Sequence, residues 1–209
     1  MNKFICIEGI DGSGKTTIVD SLAKQGYTVM KELPDVDSFD KVDAKSTAFQ
    51  IRALLSSTDE LKDNTDIAMF QSLMVALFTK NRKEYQPKLL DMLKETDVIM
   101  DRGILSTLVY GYNEFNKDEN RAIFDENMKT RTPDKVIYLA IDIETALNRI
   151  GAREDQREFY EGKEKLVKLL YIYNQLIEKY KDLLNIVVID GTQDKDTVLT
   201  QVQEVLKTI

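Results

Sequence analysis

Apolar and polar residues along the chain fall into two rhythms. Phe4 to Ile7, Val98 to Met100 and Val136 to Ile141 are apolar at consecutive positions and rich in β-branched residues, the pattern of strands buried on both faces of a parallel sheet. Tyr27 to Met30, after Gly26, and Ile186 to Ile189, after a long helical stretch, bring the predicted strands to five. Elsewhere apolar residues recur at three- and four-residue spacing. This predicts helices over Thr16 to Ala23, Ala48 to Leu55, Ile67 to Arg82, Lys88 to Leu93, Ile143 to Ile150, Leu166 to Leu184 and Thr197 to Leu206. Strands alternating with helices imply an α/β fold, a doubly wound parallel five-stranded sheet with helices on both faces. Ligands of such sheets collect beyond the carboxyl ends of the strands.

Two polar stretches interrupt the alternation. Asp35 to Ser46 is rich in carboxylates and poor in apolar residues, which predicts a solvated surface loop. Arg149 to Glu161 is a charged segment between two helices. No internal repeat or low-complexity linker divides the chain, and 209 residues is the size of one α/β domain, so residues 1–209 read as a single domain.

Composition narrows the chemistry. A formal net charge of -7 argues against a partner such as a nucleic acid polymer or an anionic membrane, because both require basic surface. A polyphosphate ligand would need a local cationic site. Cys6 is the only cysteine, so no disulfide framework forms within one chain, and a reducing, cytoplasmic setting is expected. No opening basic-then-apolar segment and no apolar run of bilayer length is present, so neither signal peptide nor anchor is expected. With no histidine, imidazole-based acid/base catalysis is excluded. Lysine, arginine, carboxylates, hydroxyls and a hard cation remain.

Gly9-Ile10-Asp11-Gly12-Ser13-Gly14-Lys15-Thr16 satisfies G-x-x-x-x-G-K-[ST] at every fixed position, after a predicted strand and before a predicted helix. Gly9, Gly12, Ser13, Gly14, Lys15, Thr16 and Thr17 are therefore candidates to cradle the phosphates of a nucleoside triphosphate, with ATP as the expected donor. Lys15 would reach the β- and γ-phosphates and the Thr16 hydroxyl would ligate Mg2+. The Asn-Lys-x-Asp motif that reads guanine in GTPases is absent; Asp142-Ile143-Glu144 follows the strand where it would be sought. A second cluster ends the strand Val98 to Met100. There Asp101 can hold the metal or its waters, and Arg102 can bind another phosphate in bidentate fashion. A structural ion pair or helix cap would explain the same two residues.

With these residues in place, the chain resembles the thymidylate kinase family of P-loop nucleoside monophosphate kinases nearly end to end. The likeness rests on Glu8 to Thr17, Ile51-Arg52-Ala53-Leu54-Leu55, Leu77-Phe78-Thr79-Lys80-Asn81-Arg82, and Asp101-Arg102 with Ser106 and Tyr110. It continues through Pro133 to Leu139, followed by Glu144, Ala146, Leu147 and Arg149. The resemblance implies transfer of the γ-phosphoryl group of Mg-ATP to the 5′-phosphate of a deoxynucleotide, with dTMP as the expected acceptor. It implies that Phe78 stacks on the base and Arg82 hydrogen-bonds its edge, although spacing alone allows Phe78 to be core and Arg82 a surface charge. Arg52 and Arg102 would hold the monophosphate, Asp11 would contact the sugar 3′-hydroxyl or the metal, Thr107 would lie near the base, and Tyr110 would crowd the position of a 2′-hydroxyl. Arg149, Arg153 and Arg157, four residues apart, would form a lid at about 150–159, with Arg153 the preferred catalytic residue because Gly12 stands where some family members carry a P-loop arginine. An exposed helix laced with Glu154, Asp155 and Glu158 would explain the same spacing. Asp190-Gly191-Thr192 would line the adenine side. A homodimer through the helices near Ala48 and Ile67 is implied as well.

Two departures bear on the acceptor: Gly103 replaces the family tyrosine after Asp-Arg, and Lys31-Glu32-Leu33-Pro34 replaces Arg-Glu-Pro-Gly. They leave open a deoxynucleoside kinase, with Glu32 as base and Phe70-Gln71 reading the nucleobase. A regulatory P-loop protein that binds nucleotide without acceptor-dependent turnover is the reading from another class.

Overall fold

The structure is a computed structural model that describes residues 2–33, 43, 45–56, 64–152 and 162–209. The five strands are β1 (Phe4–Glu8), β2 (Val29–Lys31), β3 (Val98–Asp101), β4 (Lys135–Ala140) and β5 (Ile186–Asp190), all parallel in the order β2-β3-β1-β4-β5. Because β1 lies at the centre, both faces of its five residues are buried. That is why its apolar positions are consecutive rather than alternating.

Successive side chains of a strand point to opposite faces, and the two faces have separate cores. Ile5 and Ile7 of β1, Ile99 of β3 and Leu139 of β4 pack with Ile18, Val19 and Leu22 of α1 (Lys15–Lys24) and with Val198 and Val202 of α8 (Lys195–Lys207). On the opposite face Phe4, Cys6, Met100 and Tyr138 meet α2 (Thr47–Ser56), α3 (Asn64–Glu95), α4 (Ile104–Tyr110) and α7 (Lys163–Tyr180), while α5 (Lys117–Asn127) and α6 (Ile143–Gly151) flank that layer. Burying each large aliphatic side chain in these cores stabilises the fold by roughly 1.5–3 kcal/mol.

Two helical expectations change. Ile67 to Arg82 and Lys88 to Leu93 are parts of one helix, α3, which runs through Pro87. Interior proline costs roughly 3 kcal/mol, but burial of Phe70, Met74 and Leu89 on one continuous face holds the helix together. The predicted helix ending at Leu184 stops at Tyr180. Helices α4 and α5 were not expected from periodicity. Six of the seven α4 residues are buried, so no polar face marks its period, and α5 is mostly charged, with the Asn116 side chain accepting from the Glu119 N–H at its cap.

Candidate active site

The carboxyl ends of β1 and β3 lie side by side, with Ile7 paired to Asp101, and this register brings the two phosphate-site motifs together. After β1 the chain turns through Gly9 to Gly14 and enters α1 at Lys15 without a side-chain cap. The first N–H groups of α1 are therefore left for an anion. Gly12, at φ 81, passes so close to α6 that an added Cβ would lie 2.8 Å from the Ala146 carbonyl oxygen. The loop conformation thus excludes any side chain at this position. Lys15 is buried; its Nζ donates to the Ile10 carbonyl at 2.9 Å and to Ser13 Oγ at 3.4 Å. Burial, and then the positive charge of Arg102, push its ammonium down to about 8.

Thr16 Oγ1 donates to Asp101 Oδ2 at 2.7 Å. Asp101 Oδ1 is buried and has no hydrogen-bond partner among the described residues. Arg102 adopts φ 65, a left-handed backbone that costs a non-glycine residue energy and turns its side chain back toward the loop. Its Nη1 donates to the Gly9 carbonyl at 3.4 Å and to Ser106 Oγ at 3.3 Å, and Nη2 pairs with Asp11. Tyr110 lies 5.4 Å beneath the guanidinium and donates its hydroxyl to Asp11 Oδ2 at 3.1 Å.

Beneath this cluster is a residue whose role sequence reasoning missed. Glu8 is fully buried and accepts from the Ser106 backbone N–H at 3.1 Å and from the Ser106 hydroxyl, which is also 3.0 Å from the Tyr173 hydroxyl. Burial raises its carboxyl pKa, against the pull of the Ser106 hydrogen bonds. The network anchors the start of α4 and, through Ser106, the Arg102 guanidinium. A charged residue in register at the end of an otherwise apolar strand was the available signal.

One cavity of about 240 Å3 is lined by Lys15, Thr16, Asp101 and Arg102 together with Arg52, Phe78, Thr107 and Tyr110. Phe78 and Arg52 thus reach the same space as the P-loop. Arg82 does not line it; it is buried behind the wall, where Nη2 pairs with Glu32 Oε1 at 2.6 Å and donates to Thr107 Oγ1 at 3.0 Å. Its Nη1 donates to Asn127 Oδ1, and its Nε donates to the Tyr85 hydroxyl at 3.2 Å. Burial pushes the Glu32 carboxyl up to about 7, although Arg82 pulls the other way.

On the opposite side of the loop Arg149 donates from Nη1 to the Gly191 carbonyl at 2.9 Å and the Gly12 carbonyl at 3.4 Å, and from Nη2 to the Thr192 carbonyl at 3.4 Å. Asp190, Gly191 and Thr192 are thereby joined to the P-loop. Arg153 and Arg157, and most of the predicted lid, lie outside the described residues, as does most of the predicted loop Asp35 to Ser46.

A thymidylate kinase family model matches residues 7–202, which contain every motif described above. The chain belongs to the thymidylate kinase family. It is 33% identical to a probable thymidylate kinase of Methanococcus maripaludis over 100% of this chain and 96% of that one. It is 35% identical to a probable thymidylate kinase of Methanocaldococcus jannaschii over 92% of this chain and 88% of that one. Among solved structures, thymidylate kinase from Candida albicans superposes with a TM-score of 0.72 at 23% identity, covering 99% of this chain and 92% of that one. Deoxyadenosine kinase from M. mycoides gives a TM-score of 0.66 at 21% identity, covering 99% and 100%. Both share the fold. As a thymidylate kinase family member the chain is an ATP-dependent nucleotide kinase. Among the described residues no helix is long and apolar enough to cross a membrane.

Within the family pattern Gly103 has a local explanation. A Cβ built there would lie 2.6 Å from Cys6 Sγ, and the residue faces Cys6 and Glu8 rather than lining the cavity.

Proposed function

We propose that this kinase transfers the γ-phosphoryl group of ATP to the 5′-phosphate of dTMP, giving dTDP and ADP. The observation that carries the reading is the shared cavity, in which P-loop residues and Arg102 stand together with Phe78 and Thr107. It offers phosphate-binding cations and an aromatic surface for a base in one space.

In this reading the backbone N–H groups of Gly12 to Thr17 hold the donor phosphates and Lys15 reaches the β- and γ-oxygens. Arg52 and Arg102 hold the acceptor phosphate, Asp11 takes the 3′-hydroxyl, Tyr110 disfavours a 2′-hydroxyl, and Phe78 stacks on the base. An acceptor phosphate oxygen attacks the γ-phosphorus in line as the bond to the β-bridging oxygen breaks, and the electron pair leaves with ADP. The protein's contribution is positioning and cationic stabilisation of the equatorial oxygens by Lys15, Arg102 and the lid arginines Arg149, Arg153 and Arg157. Thr16 Oγ1 and Asp101 Oδ1, which has no partner among the described residues, fit Mg2+, which takes few protein ligands and keeps several waters. Bound with ATP, Mg2+ would neutralise phosphate charge.

The reading includes a cytoplasmic homodimer. Exposed Met69 and Leu73 on α3 support an apolar interface there. The test is ADP release from Mg-ATP with no acceptor, with thymidine, and with each deoxynucleoside monophosphate. Fastest turnover with dTMP is expected; turnover with thymidine alone would make the protein a nucleoside kinase, and none above background would make it a nucleotide-binding switch.

A further inference from the structure

Glu32 lines the substrate cavity, yet its side chain is only 2% exposed. Oε1 is engaged by Arg82 at 2.6 Å, while Oε2 is buried without a hydrogen-bond partner among the described residues. Leaving a buried carboxylate oxygen unsatisfied is costly, so one belonging to a residue that lines a ligand cavity calls for a donor from the ligand. The carboxylate stands beside base-facing groups: Thr107 Oγ1 and Glu32 Oε1 accept from the same Arg82 nitrogen, and Phe78 is one helical turn before Arg82 on α3. The phosphate end is excluded as the source, since a carboxylate repels a phosphate.

Donor counting on Arg82 points the same way. A guanidinium has five N–H groups, and Tyr85, Asn127, Glu32 and Thr107 take four of them. At most one is left for a base edge, and Arg82 itself does not line the cavity. The polar atoms that meet a base are therefore those Arg82 holds in place.

We infer that Glu32 is a specificity-determining residue, its Oε2 accepting a hydrogen bond from an N–H of the acceptor base while Arg82 fixes the carboxylate. This rests on the nucleotide kinase reading above. For thymine the donor is the ring N3–H; for cytosine or adenine it is the exocyclic amine.

The experiment is a cycle between enzyme and substrate. Wild type and Glu32→Gln are assayed at pH 8, where the carboxylate is ionised, with dTMP and N3-methyl-dTMP. The amide keeps an oxygen for Arg82 and puts an N–H donor where Oε2 stood. Wild type should lose about tenfold or more in kcat/KM on N3-methylation, as expected when a buried acceptor is left unpaired. Glu32→Gln should lose a similar factor with dTMP, lose little more on methylation, and keep the KM for ATP. A parallel cycle with dCMP and its N4,N4-dimethyl form tests the exocyclic amine. Coupling in either cycle supports the inference; methylation penalties equal in both enzymes in both cycles overturn it. If Glu32→Gln does not fold, Glu32→Asp, which keeps the charge and withdraws Oε2, should show the same coupling. Wild-type turnover with dTMP or dCMP separates the two levels: without either the nucleotide kinase reading fails, and with it but without coupling only this inference fails.

Discussion

Thr16 Oγ1 and Asp101 Oδ2 are joined by a 2.7 Å hydrogen bond that ties the first turn of α1 to the end of β3 across 85 residues of sequence. The other Asp101 oxygen is buried without a partner among the described residues, and in the proposed reading a magnesium ion or its water would complete it. Asp101→Asn should raise the Mg2+ concentration for half-maximal activity by about ten- to hundredfold, with the melting temperature little changed. A magnesium titration of steady-state rate checks it, and an unaltered midpoint would remove Asp101 from the metal site.

In its proposed role at the donor phosphates, Lys15 would set a pH limit on ATP binding. Its ammonium is depressed to about 8 in the free enzyme, first by burial. Above that pH Lys15 loses its charge, so kcat/KM for ATP should fall as pH rises through about 8. The folded state favours the neutral amine, so this group adds stability as pH climbs from about 8 toward 10.5. Activity and stability should thus diverge, and pH profiles of kcat/KM and of thermal unfolding would show it. Lys15→Ala should lower kcat by about a thousandfold with any acceptor.

Arg82→Ala is expected to act on stability as well as on substrate. It removes the partner of a buried carboxylate and leaves the Asn127 oxygen without its donor. Breaking such a pair costs about 3–5 kcal/mol, which for a chain of this size lowers the melting temperature by roughly 10 °C. Calorimetry beside kinetics would separate the two effects. A variant as stable as wild type would contradict the buried pair.

Gly103 and Cys6 should be coupled. Gly103→Ala drives a Cβ to 2.6 Å from Cys6 Sγ and should destabilise by about 1–3 kcal/mol, the usual cost of overpacking. Adding Cys6→Ala removes the sulfur and should recover part of that loss. A double-mutant cycle by denaturant unfolding reads the coupling directly; additive effects would show that the two positions do not touch.

The strands and the P-loop were legible because each is a local statement: consecutive β-branched residues, or fixed glycines and a lysine between strand and helix. Asp101 and Arg102 were legible because a carboxylate and a guanidinium end an apolar strand. Helix α4 carried no period because nearly every side chain in it is buried, and α3 was read as two helices because packing outweighs Pro87. Asn116 ahead of α5, with Glu119 in its first turn, was a cap signal that the charged composition obscured. Contacts between distant segments were beyond reach. Nothing near Glu32 announces Arg82, 50 residues away, and nothing near Glu8 announces Ser106, 98 residues away.

Before any ligand arrives, Asp11 already occupies the Arg102 guanidinium. An anion reaching Arg102 therefore does not meet a bare cation; it displaces a resident carboxylate, and its net gain is the difference between two attractions. In the proposed role of Arg102 as a phosphate ligand, the Asp11 pair would be a built-in competitor that sets a threshold on what binds there.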